Sequence, residues 1–413
     1  MSIVKDVSLA SAGLGKINWA EAHMPVLSGI RKRLTSEKTF EGLSIGMCIH
    51  LEMKTAVLAL TLKAAGAEVA ITGSNPLSTQ DDVGAALASS NVNVYAWYGV
   101  TPEDHKQNLN WVLAHKPDIV IDDGAELSVA IHKEHPNLFG KTLGACEETT
   151  TGVLRFRAME KEGVLRFPVI AVNDAQTKYL FDSQFGTGQS ALEGVMRSTN
   201  LLIAGKSLVV AGYGWVGRGV AHRARGLGAK VTVTEVDPVR AIEALMEGFD
   251  VAPMLEAARR GEIFITATGC KDVITTREVM AMKDGAILAN SGHFGVEINV
   301  RDLDRLAKEK RTVRTNVEEY LLPDGRRIYL LAQGRLVNLA AANGHPAEVM
   351  DMSFSDQALA VEYLLKNKTS LRPAVYKMPI ELDREVARLA LEAWGKRIDR
   401  ASDEQRRYLE SWE

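Results

Sequence analysis

VVAGYGWVGRG, Val209 to Gly219, joins a short apolar strand to the start of a helix and spaces its glycines as G-x-G-x-x-G. The strand is read from Lys206 to Ala211 and the helix from Val216 to Gly228. Gly212 lets the chain turn tightly, and Gly214 lets the backbone approach a pyrophosphate at the helix N-terminus. Gly217 lets helix and strand pack closely. A second strand, Lys230 to Thr234, ends at Glu235, 23 residues past Gly212. A carboxylate there accepts the ribose hydroxyls of NAD and repels the extra phosphate of NADP. The stretch therefore reads as an NAD site, set behind roughly 200 residues of other protein.

Upstream, short strands alternate with helical patterns. Strands are read at Leu43 to Ile49, Ala67 to Thr72, Val92 to Trp97 and Ile119 to Asp122. Helices fall at Lys54 to Ala65, Val83 to Ser89 and Glu103 to Ala114, and a further strand at Leu165 to Val172. This rhythm marks a parallel sheet covered on both faces. Beyond the glycine-rich turn, strands are expected at Ile263 to Ala267, Ala286 to Ala289, Arg311 to Thr315 and Ile328 to Ala332. A long helical pattern follows His345-Pro346. The fold class is thus α/β, with two Rossmann-like parallel-sheet domains joined by a hinge and a small C-terminal helical tail. The expected division is a substrate-binding domain over 1–185, completed by 347–383, and an NAD-binding domain over 186–346. The tail, 384–413, is expected at a subunit interface.

A chain of 413 residues is long enough for two full cores. Basic and acidic residues balance at 49 against 52, with no basic block, so neither nucleic acid nor an anionic membrane is implied as a partner. The 3 cysteines, Cys48, Cys146 and Cys270, are far apart and show no metal-ligand spacing. No zinc-type histidine motif is present, so no metal is assigned. The start MSIVKDVSLASAG lacks the order of a secretory signal and no apolar run is long enough to span a membrane. A cytoplasmic location is the expectation.

Polar residues gather where strands of the first domain end, which is where open α/β sheets form their crevice. They are His50 and Glu52; Thr79, Gln80 and Asp81; Asp122 and Asp123; Glu147, Glu148, Thr149, Thr150 and Thr151; and Asn173, Asp174, Lys178 and Asp182. Five such clusters point to a lined cleft rather than to helix caps alone. Lys178 and Asp182 are four apart on an expected helix. They read either as a surface ion pair or as a lysine able to pass a proton if burial lowers its pKa. His293 and His345 fall at the edges of the NAD unit. Residue patterns alone leave open whether the enzyme is a simple dehydrogenase or one that uses NAD without net redox.

HLEMKTAVLALTL from His50, NPLSTQDD from Asn75, YAWYGVT from Tyr95 and IDDGAEL from Ile121 together resemble the S-adenosyl-L-homocysteine hydrolase family. So do CEETTTGV from Cys146, VNDAQTK from Val172, NSGHF from Asn290 and GRLVNLAAANGHPAEVMDMSF from Gly334. The resemblance covers essentially the whole chain, and HLExKT is similar to an archaeal and thermophilic branch that includes S-inosyl-L-homocysteine hydrolases. It implies an enzyme of the methyl cycle that hydrolyses a nucleoside thioether reversibly, releasing homocysteine. The implied course is NAD-dependent 3′-oxidation, β-elimination, water addition and re-reduction. One tightly bound NAD per subunit and a homotetramer are implied with it.

The resemblance also assigns roles. Lys178, with Asp182, takes the 3′-hydroxyl proton; His50 and Asp123 are the acid–base pair near C4′ and C5′; His293 serves the leaving side. Glu148 binds the ribose hydroxyls. Thr149, Thr150, Thr151, Gly212, Gly214, Val216, Gly217, Glu235, Asn290 and Asn338 contact the cofactor. Glu52, Lys54, Thr79, Gln80, Asn343 and His345 belong to the substrate, His345 at the nucleobase end. Many members carry H-x-T-x-E where this chain has His50, Glu52 and Lys54, an apolar methionine where it has Asn343, and an asparagine where it has Ser183. QRRYLESWE stands where many relatives carry a longer tail whose lysine and tyrosine reach a neighbour's NAD, so weaker cofactor retention is the expectation, with Arg406, Arg407 and Tyr408 as partial substitutes. With Lys54 facing solvent on the first helical turn, the substrate is S-adenosyl-L-homocysteine, and that is the expectation. With Lys54 pointing inward, its ammonium favours the inosyl compound.

Overall fold

A computed structural model describes residues 2–292 and 294–412. Two eight-stranded sheets carry the molecule. In the first, the order is Ile3–Val4, Asn93–Ala96, Glu68–Thr72, Ser44–Cys48, Ile119–Asp122, Gly144–Glu147, Val169–Ala171 and Val375–Lys377. Every neighbouring pair is parallel. Ser44–Cys48, Ile119–Asp122 and Gly144–Glu147 are buried along their whole length, because helices cover both faces of a parallel sheet.

The second sheet runs Asp250–Val251, Lys230–Thr234, Ser207–Ala211, Ile263–Thr266, Ala286–Asn290, Arg327–Leu331, Val317–Leu321 and Glu309–Arg314. Its first six strands are parallel. Val317–Leu321 then pairs antiparallel with Arg327–Leu331 on one side and with Glu309–Arg314 on the other. The outermost strand is exposed throughout and carries Lys310, Arg311 and Arg314, charges that blunt a sheet edge.

Most expected elements appear with ends shifted by a residue or two, and several differ more or are additional. Leu165 to Val172 contracts to Val169–Ala171, since Pro168 has no N–H to pair. Val317–Leu321 is an additional strand. Two N-terminal helices, Ala10–Ala22 and Pro25–Ser36, pack against the helix Met53–Ala64 in the same core as the first sheet, and were not expected from the sequence. The first has no side-chain cap. The second is capped from far away, where Asp351 accepts from the amides of Val26 at 2.9 Å and Leu27 at 2.7 Å.

After the second sheet the chain turns back. The helix Ala347–Lys366 packs in the same core as the first sheet's strands, and Val375–Lys377 lengthens that sheet beside Val169–Ala171. At the crossing between the layers the backbones nearly touch. A Cβ on Gly188 would come within 2.7 Å of Gly219's backbone, and one on Gly186 within 3.0 Å of the His345 ring.

Candidate active site

Four adjacent strands of the first sheet deliver polar side chains from their carboxyl ends to one cavity of about 420 Å3. His50 follows Ser44–Cys48, Asp123 follows Ile119–Asp122, Glu148 follows Gly144–Glu147 and Asn173 follows Val169–Ala171. The facing wall comes from the second sheet through Gly214, Val216, Thr268 and Asn338. Carboxyl ends of parallel strands are where this architecture leaves an open crevice.

His50 Nε2 lies 3.2 Å from Asp123 Oδ2, and its Nδ1 lies 2.7 Å from the Ser78 hydroxyl. Ser78 Oγ donates to the carbonyl of Asn75 at 3.1 Å, so toward His50 it accepts from Nδ1–H. That tautomer leaves Nε2 to trade a proton beside Asp123. Ser78 was passed over in the sequence in favour of its neighbours, yet it orients the ring. Thr79 and Gln80 lie outside the cavity wall. Thr79 is buried against Gly73, where a Cβ would meet its hydroxyl at 2.4 Å, and Gln80 leads into the helix Asp81–Ser89.

Lys178 and Asp182 are both buried, with Nζ 3.2 Å from Oδ1. The surface-pair reading is thereby excluded. Burial works against the ammonium, but the charges of Asp182 and Glu148 outweigh it, and the Lys178 pKa rises above its ordinary value. The expectation of a lowered lysine pKa is corrected on this point: two nearby carboxylates more than offset desolvation. Burial likewise pushes Asp182 upward, yet His345 and Lys178 together hold it well below the usual carboxylate range.

Asp182 opens a single π-helical turn, Asp182–Thr187, placed directly after the helix Gln176–Phe181. Such a turn inserts a residue and re-aims side chains. Here Asp182 Oδ2 meets His345 Nδ1 at 2.8 Å, while Thr187 Oγ meets Nε2 at 2.8 Å and Asn338 Nδ2 meets it at 3.3 Å. His345 lines the cavity together with Lys54 and Gly344, and its ring nitrogens are also tied into the Lys178 chain. Its ring is spent on Asp182, Thr187 and Asn338, extending the Lys178 chain toward the hinge.

Glu148 accepts from Ser353 Oγ and from Gln357 Nε2, both on the returning helix. Burial pushes its carboxyl up to about 7, with the Lys178 charge pulling the other way. Neither Ser353 nor Gln357 was singled out in the sequence, because 205 and 209 residues separate them from Glu148.

At the cavity's other end Lys54 is only 1% exposed, and its Nζ sits 2.5 Å from Glu52 Oε2 and 2.6 Å from the carbonyl oxygen of Asn343. Lys54 thus points inward, contrary to the solvent-facing expectation. Glu52 is the N-cap of the helix Met53–Ala64, accepting from the amides of Lys54 and Thr55, which turns Lys54 inward. Asn343 contributes its backbone carbonyl, while the residue itself is exposed.

The second wall fits a dinucleotide. Gly212 has φ +93, and a Cβ there would come within 2.8 Å of the Ala267 carbonyl oxygen. A Cβ on Gly217 would lie 1.9 Å from the Gly212 carbonyl oxygen, so strand and helix pack only through glycine. Above Gly214 the space is open apart from Arg240 Nη1 at 3.4 Å, and the helix Trp215–Gly226 starts there without a side-chain cap. That is a cradle for a phosphate group. Glu235 is held at the end of its strand by the amides of Tyr213 at 2.6 Å, Val236 at 2.7 Å and Asp237 at 3.1 Å. Asn338 Oδ1 is buried without a hydrogen-bond partner, which suits a carboxamide donor. Thr149, Thr150 and Thr151 line the cavity from the opposite side.

Asn290 has a different setting from the one expected. It is fully buried, and its Nδ2 donates to the carbonyls of Gly292, Phe294 and Gly334, while Oδ1 accepts from Thr266 Oγ and the Gly292 amide. It braces the loop instead of lining the cleft. His293 lies outside the described residues. Among the described residues no group of three or more His, Cys, Asp or Glu side chains is placed to hold a metal ion, and no helix is long and apolar enough to cross a membrane.

Because the dinucleotide cradle and the buried acid–base groups open on the same cavity, whatever binds there is worked on beside a nicotinamide. That makes the protein an NAD-dependent enzyme of two α/β layers. Residues 183–344 match the family model described as "S-adenosyl-L-homocysteine hydrolase, NAD binding domain", and residues 1–139 match the model described as "S-adenosyl-L-homocysteine hydrolase". The chain is 60% identical to S-inosyl-L-homocysteine hydrolase of Methanocaldococcus jannaschii, over 99% of this chain and 98% of that one. It is 57% identical to S-inosyl-L-homocysteine hydrolase of Methanopyrus kandleri, covering 99% and 97%, and 56% identical to adenosylhomocysteinase of Saccharolobus solfataricus, covering 99% and 98%. The chain belongs to the S-adenosyl-L-homocysteine and S-inosyl-L-homocysteine hydrolase family, within the branch that includes archaeal and thermophilic members. Its reaction is the NAD-dependent hydrolysis of a nucleoside thioether.

Proposed function

We propose that this enzyme hydrolyses S-inosyl-L-homocysteine reversibly to inosine and L-homocysteine, in preference to the adenosyl compound. The observation that carries the reading is the buried Lys54 ammonium at the cavity's end, held between Glu52 and the Asn343 carbonyl. An ammonium has three donors and two are engaged, which leaves one for the ligand. Hypoxanthine presents an O6 acceptor beside an N1–H donor, matching Lys54 beside Glu52. Adenine presents an N6 amine donor beside an N1 acceptor, the reverse order. A mismatched buried hydrogen bond costs about 1–3 kcal/mol, one to two decades in preference. Inosyl-named relatives at 60% and 57% identity stand beside adenosyl-named relatives at 57% and 56%.

When bound, NAD+ supplies reversible oxidation at the ribose 3′ carbon, which acidifies the 4′ C–H. Lys178 Nζ accepts the 3′-hydroxyl proton on the forward stroke and returns it on the reverse. Its raised pKa makes the ammonium the resting form, so a proton must leave first, and Asp182 with His345 gives it a path. Glu148 orients the ribose hydroxyls. His50 and Asp123 move protons at C4′ and C5′, where the thiol departs and water adds. Glu235 takes the adenosine ribose of the cofactor, Asn338 its carboxamide, and Thr149 to Thr151 close over it. Residues 1–185 with 347–383 form the substrate unit and 186–346 the cofactor unit. The tail takes part in a homotetramer, a reading supported by Tyr408, Leu409 and Trp412, which stand exposed on it.

The test is Lys54→Gln, whose amide both donates and accepts. The ratio of kcat/KM for the inosyl over the adenosyl substrate is expected to fall by at least about tenfold. An unchanged ratio removes Lys54 from base selection.

A further inference from the structure

Glu147 is fully buried behind the cavity, and the mechanism above gives it no work. Its Oε1 accepts from the Gly124 amide at 2.9 Å, the Thr149 amide at 2.9 Å and Thr149 Oγ at 2.7 Å. Its Oε2 accepts from the Ala125 amide at 2.9 Å. These four donors come from two loops and none from the sheet. Gly124 and Ala125 follow Asp123 in a turn with φ of +102 and +61, a conformation that a non-glycine residue such as Ala125 adopts only when held there. Thr149 begins the threonine run on the cavity wall and caps the helix Thr150–Lys161. We propose that Glu147 is a positioning residue, a clamp that locks the Asp123 turn to the Thr149–Thr151 run. One carboxylate would then set the substrate's acid–base group and the cofactor-facing threonines together. This rests on the roles given above to Asp123 and to the threonines.

Two further observations fit a clamp. Asp122, register partner of Glu147 on the next strand, holds the following helix by accepting from the amides of Leu127 and Ser128, each at 2.9 Å. The Asp123 turn is thus gripped on both sides. Space for the clamp is reserved by Gly152, where a Cβ would lie 2.1 to 2.3 Å from the Glu147 carboxyl atoms. Burial and the Asp122 charge raise the Glu147 carboxyl well above its ordinary range, with the Gly124 amide and the Thr149 hydroxyl opposing them.

Two substitutions break the clamp differently. In Glu147→Gln one oxygen becomes an NH2 that must face an N–H, of Ala125 in one orientation or of Gly124 and Thr149 in the other. Gly152→Ala leaves the carboxylate intact and displaces it with one methyl. Three quantities are read: the NAD+ dissociation constant of cofactor-stripped protein by fluorescence, bound reduced-nicotinamide absorbance at saturating NAD+, and the single-turnover rate of thiol release. Both variants are expected to bind NAD+ about tenfold more weakly. Thiol release is expected to slow by roughly 100-fold, the scale of a misplaced group. The absorbance still forms, because Lys178 is not attached to the clamp. Asp123→Asn provides the reference: it slows thiol release and leaves NAD+ binding unchanged. A merely structural Glu147 lowers absorbance and thiol release in parallel with folded fraction. If Glu147→Gln binds NAD+ and releases thiol within twofold of wild type while Asp123→Asn is slow, the clamp is wrong. If Asp123→Asn is itself unimpaired, the Asp123 role falls, and the NAD+ constants still judge the clamp. Should Glu147→Gln not fold, Gly152→Ala decides alone by the same readings.

Discussion

Glu148 and Asp182 are two carboxylates on one lysine that differ in protonation because their other neighbours differ. Asp182 has the His345 imidazole on its second oxygen and stays ionised. Glu148 accepts from the neutral Ser353 and Gln357, and burial pushes it up to about 7 against the pull of the Lys178 charge. A pH dependence with a definite sign follows. Above about 7 Glu148 is ionised and accepts from a ribose hydroxyl; below it the carboxyl is protonated and that acceptor is lost. The dissociation constant for the nucleoside product is therefore expected to fall as pH rises through about 7, and to lose this dependence in Glu148→Gln, measured by equilibrium titration. A dependence of the opposite sign, or one that persists in the variant, contradicts the assignment. At this scale the sequence was legible in residue type and position but not in direction. The family resemblance implies that His50, Glu52 and Lys54 belong with the substrate, yet a first helical turn does not say which way its lysine points. That is decided by Glu52 capping the helix and by the Asn343 carbonyl, 289 residues away. Likewise Ser78 and Thr187 declare themselves only once His50 and His345 have been brought to them.

The element that holds the cofactor was the most legible part, since its glycines answer to local geometry. Gly212, Gly214 and Gly217 differ in what a methyl would strike, and this separates their substitutions. Gly217→Ala drives a Cβ against the Gly212 carbonyl and is expected to cost about 1–3 kcal/mol of stability, read as a lower Tm. Gly214→Ala meets only Arg240 Nη1 and is expected to leave the Tm of the stripped protein unchanged while weakening NAD+ binding. Equal losses of Tm in both would contradict this division of labour. The two N-terminal helices escaped sequence reading for one cause: the groups that hold them are distant in the chain. The helix Pro25–Ser36 takes its cap from Asp351, and the helix Ala10–Ala22 holds its place through Gly13, where a Cβ would collide with the Asp82 carbonyl. Val317–Leu321 exists because strands on both sides pair with it. The π-helical turn Asp182–Thr187 has no signal in composition, though its ends fix His345.

Across the whole molecule, each sheet presents its strands' carboxyl ends to a shared cleft, and the chain crosses between the layers twice, near Gly188 and near His345. The Arg155 guanidinium stands 5.1 Å above the Phe294 ring, joining the two walls at the cleft's rim. The alternation of strands and helices made the two layers readable, and the HPAEVMDMSF run made the return helix readable as a long helix. What the sequence withheld was the reach of that helix, which supplies Ser353 and Gln357 to Glu148 and Asp351 to an N-terminal helix. Through these contacts Lys54, the buried acid–base groups and the dinucleotide cradle share one cavity, and the proposed base preference would be a property of where the layers meet. The most direct measurement is kcat/KM of the NAD-loaded wild-type enzyme on S-inosyl- and S-adenosyl-L-homocysteine in parallel, followed by thiol release. A preference of about tenfold or more for the inosyl substrate is the predicted result. Equal values, or a preference for the adenosyl substrate, would contradict the account.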